Sequence, residues 1–289
     1  MIVPAPPETP SVKSAVTISL VPEAARGPFV FDCSTAEGLS LAAACQRAAD
    51  LGFDAIEIFP SDAESFPREE VGELLAQHSL ALAAVGTGAG WLRHGLSLSA
   101  ADPVTRARAI DFVRGMIEVA AERGAPAIIG SMQGRAGPDT PRPEAIASLA
   151  DSLRALSAEA AAHGQVLLYE PLNRYETDLF NRQADAAAFL DTEGLRNVKL
   201  LCDLFHMNIE EADLPAALTS VGAWIGHVHW ADSNRLAVGT GHTPMRPVVA
   251  ALAEVGFLGY LSAEVFPLPT ADAAARASIE SFLAHTPRA

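Results

Sequence analysis

Apolar residues follow two rhythms along this chain, and the rhythms alternate. Short continuous apolar runs occur at 15–20 (AVTISL), 54–59 (DAIEIF), 80–86 (LALAAVG), 126–131 (PAIIGS), 166–171 (VLLYEP), 198–203 (VKLLCD), 224–230 (WIGHVHW) and 260–265 (YLSAEV). Between them lie longer stretches, LSLAAACQRAADLG and PVTRARAIDFVRGMIEVAAERG among them, whose apolar positions recur every three to four residues. The first rhythm predicts strands covered on both faces, and the second predicts amphipathic helices. Gly52, Gly124, Gly164 and Gly256 each stand at the end of a helical stretch, just before the next strand. A left-handed residue that closes a helix belongs there.

Eight strand–helix units in 289 residues give about 36 residues per unit. Eight such units close into a (β/α)8 barrel, a fold of about 250 residues. An open doubly wound sheet would carry a Gly-rich phosphate turn after its first strand, and SLVPEAARGPFVF has none. No linker interrupts the rhythm. The expectation is a single α/β TIM-barrel domain over 1–289, with the Pro-rich residues 1–14 as a tail or lead-in.

Composition narrows the functions that such a barrel serves. The net charge of −15 opposes a nucleic-acid or anionic-membrane partner. There is no apolar run of transmembrane length and no basic-then-apolar leader, so a soluble cytoplasmic protein is expected. Cys33, Cys45 and Cys202 are scattered, which suits neither a disulfide framework nor a thiolate zinc site. Lys13 and Lys199 are the only lysines. Lys13 falls in the expected tail and Lys199 at a strand start, which argues against amine-based covalent chemistry.

The polar residues at the strand ends carry the chemical signal. Glu170, Asp203, His229 and Glu264 end four successive predicted strands, at intervals of 33, 26 and 35 residues. Each interval is about one unit, so all four converge on one rim, where barrels of this kind keep their active sites. Three carboxylates and one imidazole suit a single divalent cation of the Mn, Co or Mg kind. Without a cation the carboxylates repel one another and are driven to take up protons. Glu57, near the end of an earlier strand, is a further candidate for contact with substrate. His227 lies one layer deeper than His229 and is expected to be a buried, hydrogen-bonded imidazole.

The segments EPLNRYE (170–176), DLFHMNIEE (203–211), HVHWADSNR (227–235) with GTGH (239–242), and AEV (263–265) resemble the xylose isomerase-like TIM barrel superfamily. More narrowly, they resemble the ketose 3-epimerases of D-tagatose, D-psicose and L-ribulose. The likeness covers the C-terminal half, and the N-terminal half agrees in rhythm. It implies a divalent-metal-dependent epimerase acting at C3 of a free ketose through a cis-enediolate. By that resemblance Glu170, Asp203, His229 and Glu264 would be metal ligands, with Glu170 and Glu264 also the acid/base pair. Glu176, His206 and Arg235 would hold substrate oxygens, and the protein would be a homo-oligomer, a dimer or tetramer. Aldose–ketose isomerases, hydroxypyruvate isomerase and inosose dehydratase have similar strand ends, so those readings stay open. A non-catalytic sugar-binding barrel is a remote alternative that the intact ligand set disfavours. A phosphodiesterase of the endonuclease IV type would need more histidines and a basic groove.

Other residues have plainer expectations. Asn208 and Glu211 read as a helix N-cap and its partner three residues on. Gly239 and Gly241 give a weak phosphate signal that no lysine supports, so a free sugar is preferred. Phe66, Trp91 and Trp230 read equally as pocket wall or core. VGTGAGWLRHG (85–95) matches no part of the family pattern.

Overall fold

The first strand begins before its apolar run does. In the computed structural model, which describes residues 11–35, 38–138 and 140–286, β1 runs Lys13–Ser19. Residues 13 and 14 are therefore strand rather than tail, while residues 1–10 of the expected tail lie outside the described residues. Lys13 and Ser14 pair with Tyr260 and Leu261, and the Lys13 ammonium stands 5.9 Å from the Tyr260 ring centroid. Pairing to the last strand extends β1 past the point where its apolar run stops.

A two-residue β2 (Phe31–Asp32) follows, then β3 (Ala55–Phe59), β4 (Ala81–Gly86), β5 (Ala127–Ile129), β6 (Leu167–Tyr169), β7 (Val198–Asp203), β8 (Ile225–His229) and β9 (Tyr260–Ala263). All pairings between them are parallel. The order is β2-β1-β3-β4-β5-β6-β7-β8-β9, and β1 also pairs with β9. Eight strands thus close the expected (β/α)8 barrel, and β2 is a short addition beside β1. The helices are α1 (Leu41–Leu51), α2 (Arg68–His78), α3 (Ala89–His94), α4 (Pro103–Ala121), α5 (Arg142–Ala162), α6 (Gln183–Thr192), α7 (Leu204–Glu210), α8 (Leu214–Ser220), α9 (Met245–Glu254) and α10 (Ala271–His285).

The strands are largely apolar because both faces are covered. The main core lies between strands and helices, and includes Ile18, Ile56 and Val228 with Leu149, Val248 and Ile279. A separate small cluster, Ala84, Ile128, Leu168 and Leu201, comes from the neighbouring strands β4 to β7. It is the apolar filling expected inside such a barrel. The four punctuating glycines all have positive φ, between 69° and 88°. Among the described residues, no helix is long and apolar enough to cross a membrane. With the helices outside and the barrel filled, the polar strand ends share one rim.

Candidate functional site

β7 is apolar from Leu200 through Cys202 and ends on Asp203, which is fully buried. Its Oδ1 accepts hydrogen bonds from the backbone N–H of Phe205 (2.7 Å) and His206 (3.4 Å), so Asp203 is itself the N-cap of α7. This corrects the expected cap. Asn208 lies inside α7, and Glu211 beyond it accepts from the Gln183 N–H at 2.8 Å and pairs with Arg182 at 3.3 Å. Strand passes into helix with no intervening loop, so the strand's last residue takes the capping role. The other oxygen, Oδ2, is left to face the barrel axis, 3.3 Å from His229 Nδ1.

Glu170, Asp203, His229 and Glu264 each bring one ligand-type atom within 4.8 Å of the others, and all four are buried. His229 Nδ1 is the hub. It lies 3.5 Å from Glu170 Oε1 and 3.7 Å from Glu264 Oε2. Glu170 follows β6 directly, and its N–H continues the ladder to the Ile129 carbonyl at 3.0 Å. Gly130 makes room for it: a Cβ there would stand 2.5 Å from Glu170 Oε2. Gln133 donates from Nε2 to the Glu170 carbonyl at 2.9 Å. Sequence reasoning missed both residues. The GS after the apolar run of β5 was the one available hint.

Glu57 is not where it was expected. It is fully buried and does not line the cavity described below. Its Oε2 pairs with His227 Nε2 at 2.7 Å and its Oε1 with His229 Nε2 at 3.1 Å. The expected contact with substrate is replaced by contact with the His227 and His229 imidazoles. β3 places Glu57 deeper in the barrel than the rim residues, beside the two histidines of β8. Whenever the imidazole is neutral, a carboxylate on Nε2 keeps its single proton there and makes Nδ1 the lone-pair nitrogen.

The electrostatics of this cluster favour added positive charge. Burial pushes the Glu170 carboxyl up to about 7; His229 opposes this, while Glu264 and Asp203 add to it. Burial alone would keep His229 neutral, yet the surrounding Glu264, Glu57, Asp203 and Glu170 raise its pKa well above the usual imidazole value. Buried charge of one sign is costly unless it is compensated. Glu170 Oε1 is buried without a hydrogen-bond partner. An orphaned carboxylate oxygen within a set of three carboxylates and one Nδ1 fits a hard or borderline divalent cation.

Two members of the cluster, Glu170 and Glu264, lie in the wall of a cavity of about 540 Å3. Glu170, Glu176, His206, Arg235 and Glu264 line it, with Trp91 and Tyr175 near the exposed side. Trp91 comes from α3, so the unaligned stretch 85–95 supplies part of the wall, whereas Phe66 and Trp230 are core. His206 is nearly fully buried, and burial drives its pKa down to about 4, so the ring is neutral. Asn173, inside EPLNRYE but not singled out from the sequence, donates from Nδ2 to His206 Nδ1 at 2.7 Å and to Glu176 Oε1 at 2.9 Å. The His206 proton is thereby placed on Nε2, a buried atom with no partner. Burial raises the pKa of Glu176, with Arg235 opposing. Arg235 donates from Nη2 to Glu264 Oε2 at 2.6 Å and lies 4.8 Å from the Phe205 ring centroid.

Fold and rim together define a (β/α)8-barrel protein with a buried carboxylate–imidazole centre at the carboxyl ends of its strands. The chain belongs to the xylose isomerase-like TIM barrel family, whose model matches residues 45–285. It is 29% identical over 242 residues to the L-ribulose 3-epimerase of Mesorhizobium japonicum, covering 82% of this chain and 79% of that protein. It is 30% identical over 224 residues to a ketose 3-epimerase of Arthrobacter globiformis, covering 76% of each. A shorter match, 38% over 113 residues, joins 39% of the chain to 43% of the 3-dehydro-D-guloside 4-epimerase of Escherichia coli. The crystal structure of a D-allulose 3-epimerase from Methylomonas sp. has the same fold, with a TM-score of 0.78 at 23% identity over 96% of this chain and 99% of that one. The protein is accordingly a sugar epimerase of the isomerase class.

Proposed function

We propose that the protein is a divalent-metal-dependent epimerase that inverts C3 of a free ketose by two-glutamate proton transfer. The observation that carries this reading is the pair Glu170 and Glu264, both buried, both lining the cavity, and both members of the four-residue cluster. Glu170, Asp203, His229 through Nδ1, and Glu264 would hold the cation. A cation there supplies Lewis-acid polarisation of the substrate carbonyl.

The side chains do the rest. Inversion requires a proton to leave one face of C3 and another to arrive on the opposite face. Glu170 follows β6 and Glu264 follows β9, with β7 and β8 between them, so the two carboxyls reach the cavity from different stretches of the rim. One withdraws the proton to give an enediolate, and the other donates to the far face. The reverse reaction exchanges their roles. The unpartnered Nε2–H of His206 suits a substrate oxygen, and Arg235 and Glu176 close the same wall. The test is incubation with Mn2+ and a panel of free ketoses in D2O, following exchange at C3 by NMR. Exchange at C3 supports the reading, and absence of exchange from every ketose rejects it.

A second reading rests on cavity size. A ketohexose has about twelve non-hydrogen atoms, which at no more than ~30 Å3 each fill at most ~360 Å3. The cavity holds about 540 Å3, and the Escherichia coli relative is a 4-epimerase of a dehydro-guloside. A keto-glycoside belongs in the panel for that reason. Exchange at C4 of that compound, with none at C3 of free ketoses, would favour the second reading.

A further inference from the structure

The Gly-rich stretch after β8 looked like an anion cradle, and it is one, already filled. Asp232 is almost fully buried. Its Oδ1 accepts from the backbone N–H of Ser233 at 2.7 Å and Thr243 at 3.0 Å, and its Oδ2 from Gly239 at 2.8 Å and Gly241 at 2.9 Å. Convergent loop amides bind phosphate in other proteins; here the chain's own carboxylate takes that place. Gly241 is needed for the approach, since a Cβ there would stand 2.4 Å from Asp232 Oδ1. The loop from 232 to 243 is wound round one side chain.

Arg235 stands on this loop with φ of 59°, one of two non-glycine residues with positive φ among those described. A side-chain residue keeps that conformation only where its surroundings hold it. Its N–H donates to the Asp232 carbonyl at 2.8 Å, and its own carbonyl accepts from the Phe266 N–H at 2.9 Å. Its guanidinium then reaches Glu264 and the cavity. Asp232 itself is absent from the cavity wall.

We propose that Asp232 is a positioning residue of the active site, fixing the 232–243 loop so that Arg235 is presented to Glu264 and to the substrate. The kinetic part of the test rests on the epimerase reading above; the spectroscopic part does not. Asp232→Asn keeps the size but turns one acceptor oxygen into a donor facing backbone donors. In 15N spectra of the intact protein, the Arg235 side-chain resonance is identified by its loss in Arg235→Lys. It should be protected from solvent exchange in the parent protein. In Asp232→Asn it should exchange like an exposed arginine while the backbone amide dispersion persists. Against a ketose that the parent turns over, Asp232→Asn should lower kcat/KM at least about tenfold, but less than about threefold when Arg235 is already alanine. Gly241→Ala keeps the carboxylate and crowds its seat, and it should reproduce the pattern if Asp232→Asn fails to fold. An unchanged Arg235 resonance, or equal losses in both backgrounds, overturns the proposal. If the parent turns over no ketose, the epimerase reading falls and the resonance alone decides the role of Asp232.

Discussion

Glu57 shows how far a buried residue can shape a site it never lines. Its two oxygens are spent on His227 and His229, so its influence reaches the rim only through the imidazole. Replacing it with Gln keeps the volume but weakens the hold on Nε2–H. Titration with Mn2+ followed by calorimetry should then show affinity falling about 10- to 100-fold, the usual effect of losing such a partner. The two glutamates of the rim should behave differently. Under the proposed mechanism Glu170→Gln and Glu264→Gln lose the proton-transfer groups, and turnover should fall by about 10²–10⁴ in steady-state assays at saturating metal. If either variant kept near-native turnover, two-glutamate transfer would be wrong.

The junction of β7 and α7 unites two roles in one side chain, and they can be separated. Asn caps a helix about as well as Asp, whereas Ala costs about 1 kcal/mol. Asp203→Asn and Asp203→Ala both lose the charge, and only the second loses the cap. Without added metal, Asp203→Ala should melt about 2–4 °C below Asp203→Asn, with both binding Mn2+ poorly. Equal melting temperatures would remove the capping role. The same junction marks where sequence reading stopped. Eight strands were legible because each is covered on both faces and therefore largely apolar. The two-residue β2 leaves no periodic trace. Asn208 resembled a cap because the side chain that caps the helix was counted as the last residue of a strand. The four rim residues were legible from their one-unit spacing. The role of Glu57 was not, because linear spacing does not say how deep in the barrel a residue of β3 lies relative to one of β8. Gly130 left only the faint hint of a GS after β5 and Gln133 no pattern, since they act through close approach and a single carbonyl.

At the scale of the whole molecule, the proposed cation seat of four buried residues would make cation binding a term in stability. A cation that binds only the folded state stabilises it by about 2.7 kcal/mol at one hundred times its Kd. Thermal melts should therefore rise by several degrees when Mn2+ is added to chelator-treated protein. The increment should vanish in Asp203→Asn. An equal increment in parent and variant would place the cation elsewhere.

The closure of the barrel has a consequence in time. β1 pairs with β9, and Glu264 directly follows β9, 35 residues beyond His229. During synthesis from the first residue onward, three of the four rim residues emerge well before the fourth, and the strand that delivers the fourth also closes the ring. A growing chain thus holds an incomplete rim cluster until the ring is sealed. Completing the barrel and completing its centre become a single event.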